Sequence, residues 1–296
     1  MKKIAVVGSI NMDITCKTQR FPNAGETIFG ADLKYVPGGK GNNQAVAAAR
    51  LGGDVTMFAC VGDDLFGEQL LKNLQENGVD TSYIRKEPAV PTGIAIITVA
   101  EMDNTIVVVS GANNYVTTQY IESVKDALLE ADIILMPNEI PAETIRYVSE
   151  LAHQAGKIVV FNPAPFRESA MQCIDHVSFL TPNEHEAALL FPGEKDLENM
   201  LSKQHGKLIV TLGSAGAAAW LDGAVLRIPA RKAAVVDTTG AGDTFNGAFC
   251  FALANDYPLE KALRFANVAA SLSTEGFGAQ GGMPSLDMVR QNGADV

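Results

Sequence analysis

The stretch Asp237-Thr238-Thr239-Gly240-Ala241-Gly242-Asp243-Thr244-Phe245-Asn246-Gly247 places a carboxylate beside two closely spaced glycines. The run before it, 233–236, is short, apolar and partly β-branched, which predicts the end of a strand. The apolar run after it, 248–254, predicts a buried helix. The join is then a glycine-rich strand-to-helix turn. Gly240 and Gly242 let a ligand approach the backbone, and the first helical amides, around Ala241 and Gly242, point outward unpaired. Such a turn binds anions, because its donors and the helix dipole both favour negative charge. Asp243 sits where the anion would arrive. One carboxylate beside a ring of donors suits a group that takes a hydroxyl's proton while the amides hold a migrating phosphoryl group. A bare Gly-x-Gly-Asp would serve equally well as a helix cap; the length of the whole run favours chemistry.

Further candidates follow other predicted strands, at the carboxyl ends where open α/β sheets bind ligands. The near-continuous apolar run 4–8 predicts a buried parallel strand, with Asn11 and Asp13 just beyond it. An amide and a carboxylate can together bond adjacent sugar hydroxyls, although Asn and Asp also favour plain turns. Pro37-Gly38-Gly39-Lys40-Gly41-Asn42-Asn43-Gln44 opens an Ala-rich helix over 45–51. It lacks the spacing of a Walker A loop, and Gln44 stands where a dinucleotide turn needs its third glycine. What remains is a tight loop with close backbone access at Gly39 and Lys40, and an amide, Asn43, on the first helical turn. Asn183 and Glu186, three apart at a helix start, share one face. An amide and a carboxylate there can order water around magnesium, or simply make an acid-rich first turn. His185 has no second histidine at ligand spacing and is not a metal candidate.

Positioning these groups requires alternating elements. Strands near 55–60, 132–136, 157–161, 177–180 and 208–211 interleave with helices ending near 76 and spanning about 118–130 and 142–155. That βαβ pattern predicts an α/β fold, a doubly wound, mostly parallel sheet flanked by helices. A hairpin over 217–221 and 225–228 leads to the glycine turn. A helix over 259–274 and a glycine-rich loop over 276–284 follow it. Residues 14–36 and 92–109 differ in character. Partly alternating segments at 14–18, 28–35, 92–99 and 105–109, the last two joined by a turn through Glu101, Met102, Asp103 and Asn104, predict a small sheet discontinuous in sequence. All of this fits one domain over 1–296.

In order from Asn11 to Gly282, these motifs resemble the ribokinase-like sugar kinases of the phosphofructokinase-B type. The resemblance implies that Asn11, Asp13, Gly39, Lys40, Asn43 and Glu139 bind the sugar. It makes Asp243 the base, with Gly240, Ala241 and Gly242 as the anion-binding turn. It places ATP against Asn183, Thr211, Gly213, Gly216, Gly242 and Asn267, and magnesium near Glu186. A monovalent cation, potassium, would be held by Asp237, Thr239, Ser273, Gly276, Gly278 and Gly282; Ser is common near position 282 in that family, so Gly282 departs from its pattern. The small sheet would be a lid over the sugar and the interface of a homodimer. The implied reaction is ATP-dependent phosphorylation of O5 of ribose. Alternatives are deoxyribose, fructose phosphate or a nucleoside as acceptor, or a non-catalytic sugar sensor. A phosphosugar binder would offer extra basic groups, and an intact Asp243 argues against a sensor.

Composition agrees. The 296 residues are 47% hydrophobic, enough for a sizeable core. A net charge of -11 excludes nucleic acid and anionic membrane as expected partners. Cys16, Cys60, Cys173 and Cys250 are far apart and read as free thiols. No apolar stretch approaches the roughly 18 residues of a spanning helix, so a soluble, cytoplasmic enzyme is expected.

Overall fold

The computed structural model describes every residue except 102, 195 and 294–296. Along the described residues run β1 (Ile4–Val7), β2 (Asn11–Lys17), β3 (Asp32–Gly38), β4 (Val55–Gly62), β5 (Asp80–Glu87), β6 (Gly93–Ala100), β7 (Asp103–Val109), β8 (Ile133–Pro137), β9 (Ile158–Asn162), β10 (Phe179–Leu180), β11 (Ile209–Thr211), β12 (Ala217–Leu221) and β13 (Ala224–Ile228). The main sheet has the order β10-β9-β8-β1-β4-β5, and every pairing in it is parallel. Parallel bridges Leu180–Leu208 and Asn183–Thr211 continue it into the antiparallel β11-β12-β13.

Strand β1 shows why the sheet is wound on both sides. All four of its residues are buried. Ile4 and Val6 join a core that includes the helices Lys40–Arg50, Ala241–Ala254 and Leu259–Ser273. Ala5 and Val7 join the core on the other face, against the helix Ala142–Gln154. A strand covered on both faces has no polar alternation, and this is what the sequence displays.

The small sheet has the order β3-β2-β6-β7. It differs from expectation at its edges. It begins at Asn11 rather than residue 14, so Asn11 and Asp13 lie on β2 itself. Residues 28–31 are not strand; β3 starts at Asp32 and runs through Pro37 to Gly38. Proline is tolerated there because β3 is an edge strand. Of the turn joining β6 to β7, Met102 lies outside the described residues.

Other expectations are corrected. No strand forms over 233–236; Val235 and Val236 are 62% and 64% exposed. Strand β5, Asp-Thr-Ser-Tyr-Ile-Arg-Lys-Glu, escaped sequence reading because an edge strand has solvent on one flank and carries little apolar signal. The helix expected over 118–130 breaks at Val124 into Thr118–Ser123 and Lys125–Leu128. The helices expected from 45 and 248 start earlier, at Lys40 and Ala241. A last short helix, Leu286–Gln291, was not anticipated.

One crossing fixes the site. At Gly247 a Cβ would lie 2.6 Å from the Gln44 carbonyl oxygen and 2.7 Å from the Ala47 Cβ. Only a residue without a side chain lets the helices Lys40–Arg50 and Ala241–Ala254 approach this closely. Their first turns are thereby brought face to face.

Candidate active site

The N-cap residues of the two helix starts, Gly39 and Gly240, are glycines at positive φ and supply no side-chain cap. Gly240, at φ 79°, is the N-cap of Ala241–Ala254. The Gly242 and Asp243 amides have no hydrogen-bond partner among the described residues. A cleft of about 230 Å³ opens onto them. Its walls include Lys40, Asn183, Glu186, Thr211, Gly240, Gly242 and Asp243. Free amides at a helix N-terminus beside a lysine make an anion site.

Asp243 is 6% exposed. Its Oδ2 accepts from Asn43 Nδ2 and its Oδ1 from Gln44 Nε2, both at 3.0 Å. Asn43 also accepts from Gln280 Nε2 at 3.1 Å. Most of its amide is therefore spent on the protein, leaving one N–H for a ligand.

The sugar-binding candidates converge next to this carboxylate. Asn11 is buried and accepts from Asn113 Nδ2 at 2.7 Å. Gly39, at φ 85°, lies so close to β2 that a Cβ would sit 2.7 Å from the Asn11 nitrogen. The Asp13 carboxyl covers Gly38, where a Cβ would be 2.3 Å away. Glu139 Oε2 accepts from Ser9 Oγ at 2.5 Å and from the Lys40 backbone N–H at 2.9 Å.

These charges perturb one another. Asp243 first, then Glu139, Glu186 and Asp13, hold the Lys40 ammonium above its ordinary value against the cost of burial. The ammonium makes no ion pair within 4 Å among the described residues, so it remains available to an incoming anion. Burial, then the charges of Glu139 and Asp243, push the Asp13 carboxyl up to about 7, with Lys40 opposing.

Asn183 and Glu186 prove to be a capping box. Asn183 Oδ1 accepts from the Glu186 N–H at 2.8 Å, and Glu186 Oε2 accepts from the Asn183 N–H at 2.9 Å. Both still line the cleft, with a carboxylate oxygen of Glu186 to spare. Among the described residues no cluster of three or more His, Cys, Asp or Glu could hold a metal. One spare carboxylate suits magnesium, which keeps several waters and takes its other ligands from phosphates.

Thr211 lines the cleft, whereas Gly213, Gly216 and Asn267 lie beyond its walls. Gly216 and Asn267 meet at one atom, the Ile228 carbonyl oxygen. Asn267 Nδ2 donates to it at 2.9 Å, and a Cβ on Gly216 would be 1.9 Å from it. Gly213, at φ 52°, opens the same turn.

The potassium candidates are joined across two segments. Asp237 accepts from the Thr239 and Gly278 amides, both at 2.9 Å. Burial acts to raise the Asp237 carboxyl, but these amides outweigh it and hold the group below its usual range. The Val236 and Asp237 amides donate to the Thr274 carbonyl. At Gly282 a Cβ would lie 1.9 Å from the Ser273 carbonyl oxygen, and one on Gly276 would lie 2.5 Å from the Gly282 Cα. Glycine at 282 is thus required by close packing here, and only backbone can serve as a ligand.

Sequence reading missed several members. Gln44 stood out only as a misplaced residue in a glycine fingerprint. Asn113 holds Asn11, Ser9 holds Glu139, and Asn162 accepts from Gln44 Nε2 at 3.1 Å. Asn162 ends β9, and its place at a strand's carboxyl end was the available signal.

Fold and cleft together define a phosphotransferase-type α/β enzyme, and the sequence comparisons agree. The family model for pfkB family carbohydrate kinases matches residues 1–286. The chain belongs to this family. It is 48% identical over 292 residues to a ribokinase of Lactococcus lactis, covering 98% of this chain and 96% of that one. It is 46% identical over 291 residues to a ribokinase of Bacillus subtilis, covering 98% and 99%. The solved structure of Arabidopsis thaliana ribokinase complexed with ribose and ATP superposes with a TM-score of 0.90 at 31% identity, covering 100% of this chain and 99% of that one. No helix among the described residues is long and apolar enough to cross a membrane.

The raised Asp13 carboxyl has a stability consequence. Between about pH 4, the ordinary carboxyl range, and about 7, the folded protein retains a proton that the unfolded chain releases. Asp13 therefore costs progressively more stability as pH rises through that window, and the cost is constant above it. Asp13→Asn should melt at a higher temperature than the parent at pH 8, with the difference shrinking toward pH 4.5. Thermal melts across this range check it; a variant less stable than the parent at pH 8 contradicts it.

Proposed function

We propose that the protein phosphorylates O5 of ribose with ATP. The observation that carries this reading is the buried Asp243 carboxylate beside two free helix amides in a cleft that also holds Lys40. The names of its relatives support the choice of sugar. Asn11, Asp13 and Glu139, with the backbone at Gly39 and Lys40 and the remaining N–H of Asn43, hold the sugar hydroxyls. Asp243 takes the O5 proton. The new bond forms between O5 and the γ-phosphorus, the bond to the β–γ bridging oxygen breaks, and ADP departs. Charge on the moving phosphoryl falls on the free amides of Gly242 and Asp243 and on Lys40, the Ala241 amide being taken by the Thr238 carbonyl. Asn183, Thr211, Gly213, Gly216, Gly242 and Asn267 line the path for the nucleotide. Magnesium would enter with ATP, neutralising phosphate charge beside Glu186.

Two further parts belong to this reading. Residues 14–36 and 92–109, as part of the small sheet, act as a lid that excludes water. Its other role is pairing with a second copy of the chain. All of β7 is exposed, with Ile106, Val107, Val108 and Val109 at 45–60%, and Leu33, Tyr35 and Ile96 extend the apolar patch. A free sheet edge bearing such a patch is a pairing surface. Potassium would sit against Asp237 and the backbone at Thr239, Ser273, Gly276, Gly278 and Gly282, stiffening the turn that carries the anion-binding amides.

Asp243→Asn should lower turnover by roughly 10²–10⁴-fold with little change in the ribose requirement. Steady-state assays across ribose, deoxyribose, fructose phosphate and nucleosides check both the base and the acceptor. Near-normal turnover in the variant, or a clear preference for another acceptor, overturns the assignment.

Chelation of magnesium should abolish turnover. With magnesium restored, potassium should accelerate the rate several-fold over a bulky organic cation at equal ionic strength. Equal rates in the two salts would reduce the 276–282 loop to a cap.

Val107→Asp should convert a dimer into monomers in sedimentation equilibrium. A parent chain that sediments as a monomer ends the pairing proposal.

A further inference from the structure

Both oxygens of Asp243 are held by amide donors, and each donor is itself anchored. On one side Gln44 Nε2 donates to Asp243 Oδ1 at 3.0 Å and to Asn162 Oδ1 at 3.1 Å. Asn162 Nδ2 is fixed in turn on the Thr181 carbonyl at 2.8 Å. On the other side Asn43 Nδ2 donates to Asp243 Oδ2, and Gln280 Nε2 donates to Asn43 Oδ1. Gln280 belongs to the glycine-rich loop, whose carbonyls at Gln280 and Met283 accept from the Arg50 guanidinium at 2.6 and 3.3 Å. One helix, Lys40–Arg50, therefore holds the carboxylate at its start and the loop at its end.

Gln44 is 0% exposed and Gln280 is 5% exposed. The side-chain carbonyl oxygen of each is buried without a hydrogen-bond partner. A buried acceptor left unpaired is costly, and a core selected for stability alone would replace the amide with an apolar side chain of similar length. Each glutamine is retained with only its N–H groups in use, and those N–H groups lead to Asp243. An amide donor suits this task because it stays neutral and its nitrogen, with a delocalised lone pair, is too weakly basic to compete for the proton, whereas lysine would add a charge.

We propose that Gln44 and Gln280 are positioning residues for the Asp243 carboxylate, Gln44 directly and Gln280 through Asn43. The proposal rests on the reading of Asp243 as the base. The two contacts fix the plane of the carboxylate, so that the lone pair facing the cleft meets the sugar hydroxyl. Because Gln280 is on the loop beyond the helix Leu259–Ser273, that loop's order is transmitted to the carboxylate. Preorganisation of this kind is expressed in the rate of the chemical step more than in substrate binding.

The test is a double-mutant cycle in the full-length protein. Gln44→Met and Gln280→Met remove the donors while keeping side-chain length. Each should lower kcat, Gln44→Met by about 10- to 100-fold and Gln280→Met by about 3- to 10-fold, with KM for ribose and for ATP within about threefold. In an Asp243→Asn background neither change should lower the residual rate further, because an oriented base is no longer there to lose. An equal fold-loss in both backgrounds would make these glutamines merely structural and overturn the proposal. So would unchanged kcat in a variant that melts normally. If Gln44→Met does not fold, Gln280→Met, on the loop beyond the helix Leu259–Ser273 and outside the helix crossing, decides alone. Failure of the underlying reading is seen separately, as near-normal turnover in Asp243→Asn with both glutamines intact.

Discussion

The close crossing of two helices at Gly247 is the constraint on which the site depends. It sets the first turn of Lys40–Arg50 against the first turn of Ala241–Ala254. Neither N-cap residue supplies a side-chain cap, but the two turns differ. The first amides of Lys40–Arg50 are taken up by Glu139, Ser9 and Gly39, whereas the Gly242 and Asp243 amides stay unpaired among the described residues and face the cleft. One turn brings a carboxylate and free amides, and the other brings an ammonium and two amide side chains. Any side chain at 247 would have to push against backbone of the facing helix, and the relation between Asp243 and Gln44 would shift with it. Glycine there has a helix-propensity cost of about 1 kcal/mol relative to alanine. The chain tolerates that cost in a helix otherwise buried along most of its length.

Around this crossing the protein gathers like charges, which a stability-driven core would avoid. Asp13, Glu139, Glu186 and Asp243 all act on the Lys40 ammonium. Asp13 is held high by its carboxylate neighbours as well as by burial. On the proposed function, sugar hydroxyl donors and a phosphoryl group would offset this clustering of charge, so that binding energy and chemistry draw on the same electrostatic arrangement. The acidity of the chain as a whole does not oppose anion binding, because the donors in the cleft are backbone amides and a single lysine. These act over a few ångströms, whereas net charge is screened beyond about 10 Å.

How much of this was legible follows from what each feature asks of the sequence. The parallel strands were visible because burial on both faces writes an unbroken apolar run, as in β1 and β8. The glycine turn and the Gly39-Lys40 loop were visible because close backbone approach leaves few residue choices. β5 was invisible, since an edge strand with charged residues reads as loop. The run 233–236 misled in the opposite sense: β-branched residues suggested a strand, but no partner strand lies beside them, and propensity without a partner does not make one. Asn183 and Glu186 show a subtler limit. Their spacing predicted a shared face, which could order water around magnesium or simply be an acid-rich first turn. The structure contains a capping box at the rim of the cleft that leaves one Glu186 carboxylate oxygen unused, so the two readings are not exclusive.

The least legible part was the support behind the functional groups. Asn113, Ser9, Gln44, Asn162 and Gln280 lie 32 to 237 positions from at least one partner in this network. No local spacing rule reaches that far. Their common feature is chemical: each is a neutral side chain with an N–H or O–H to give, placed behind an acceptor that faces the cleft. A carboxylate that must take a proton cannot be anchored by a full ion pair without losing basicity, and it cannot be left free without losing direction. Neutral donors satisfy both requirements. The same reasoning applies to Glu139, held by a serine hydroxyl and a backbone N–H, and to Asn11, held by another asparagine. The site is thus built from charged groups facing inward, backed by uncharged donors drawn from distant segments. Holding those segments together is the task of the two cores on either side of the parallel sheet.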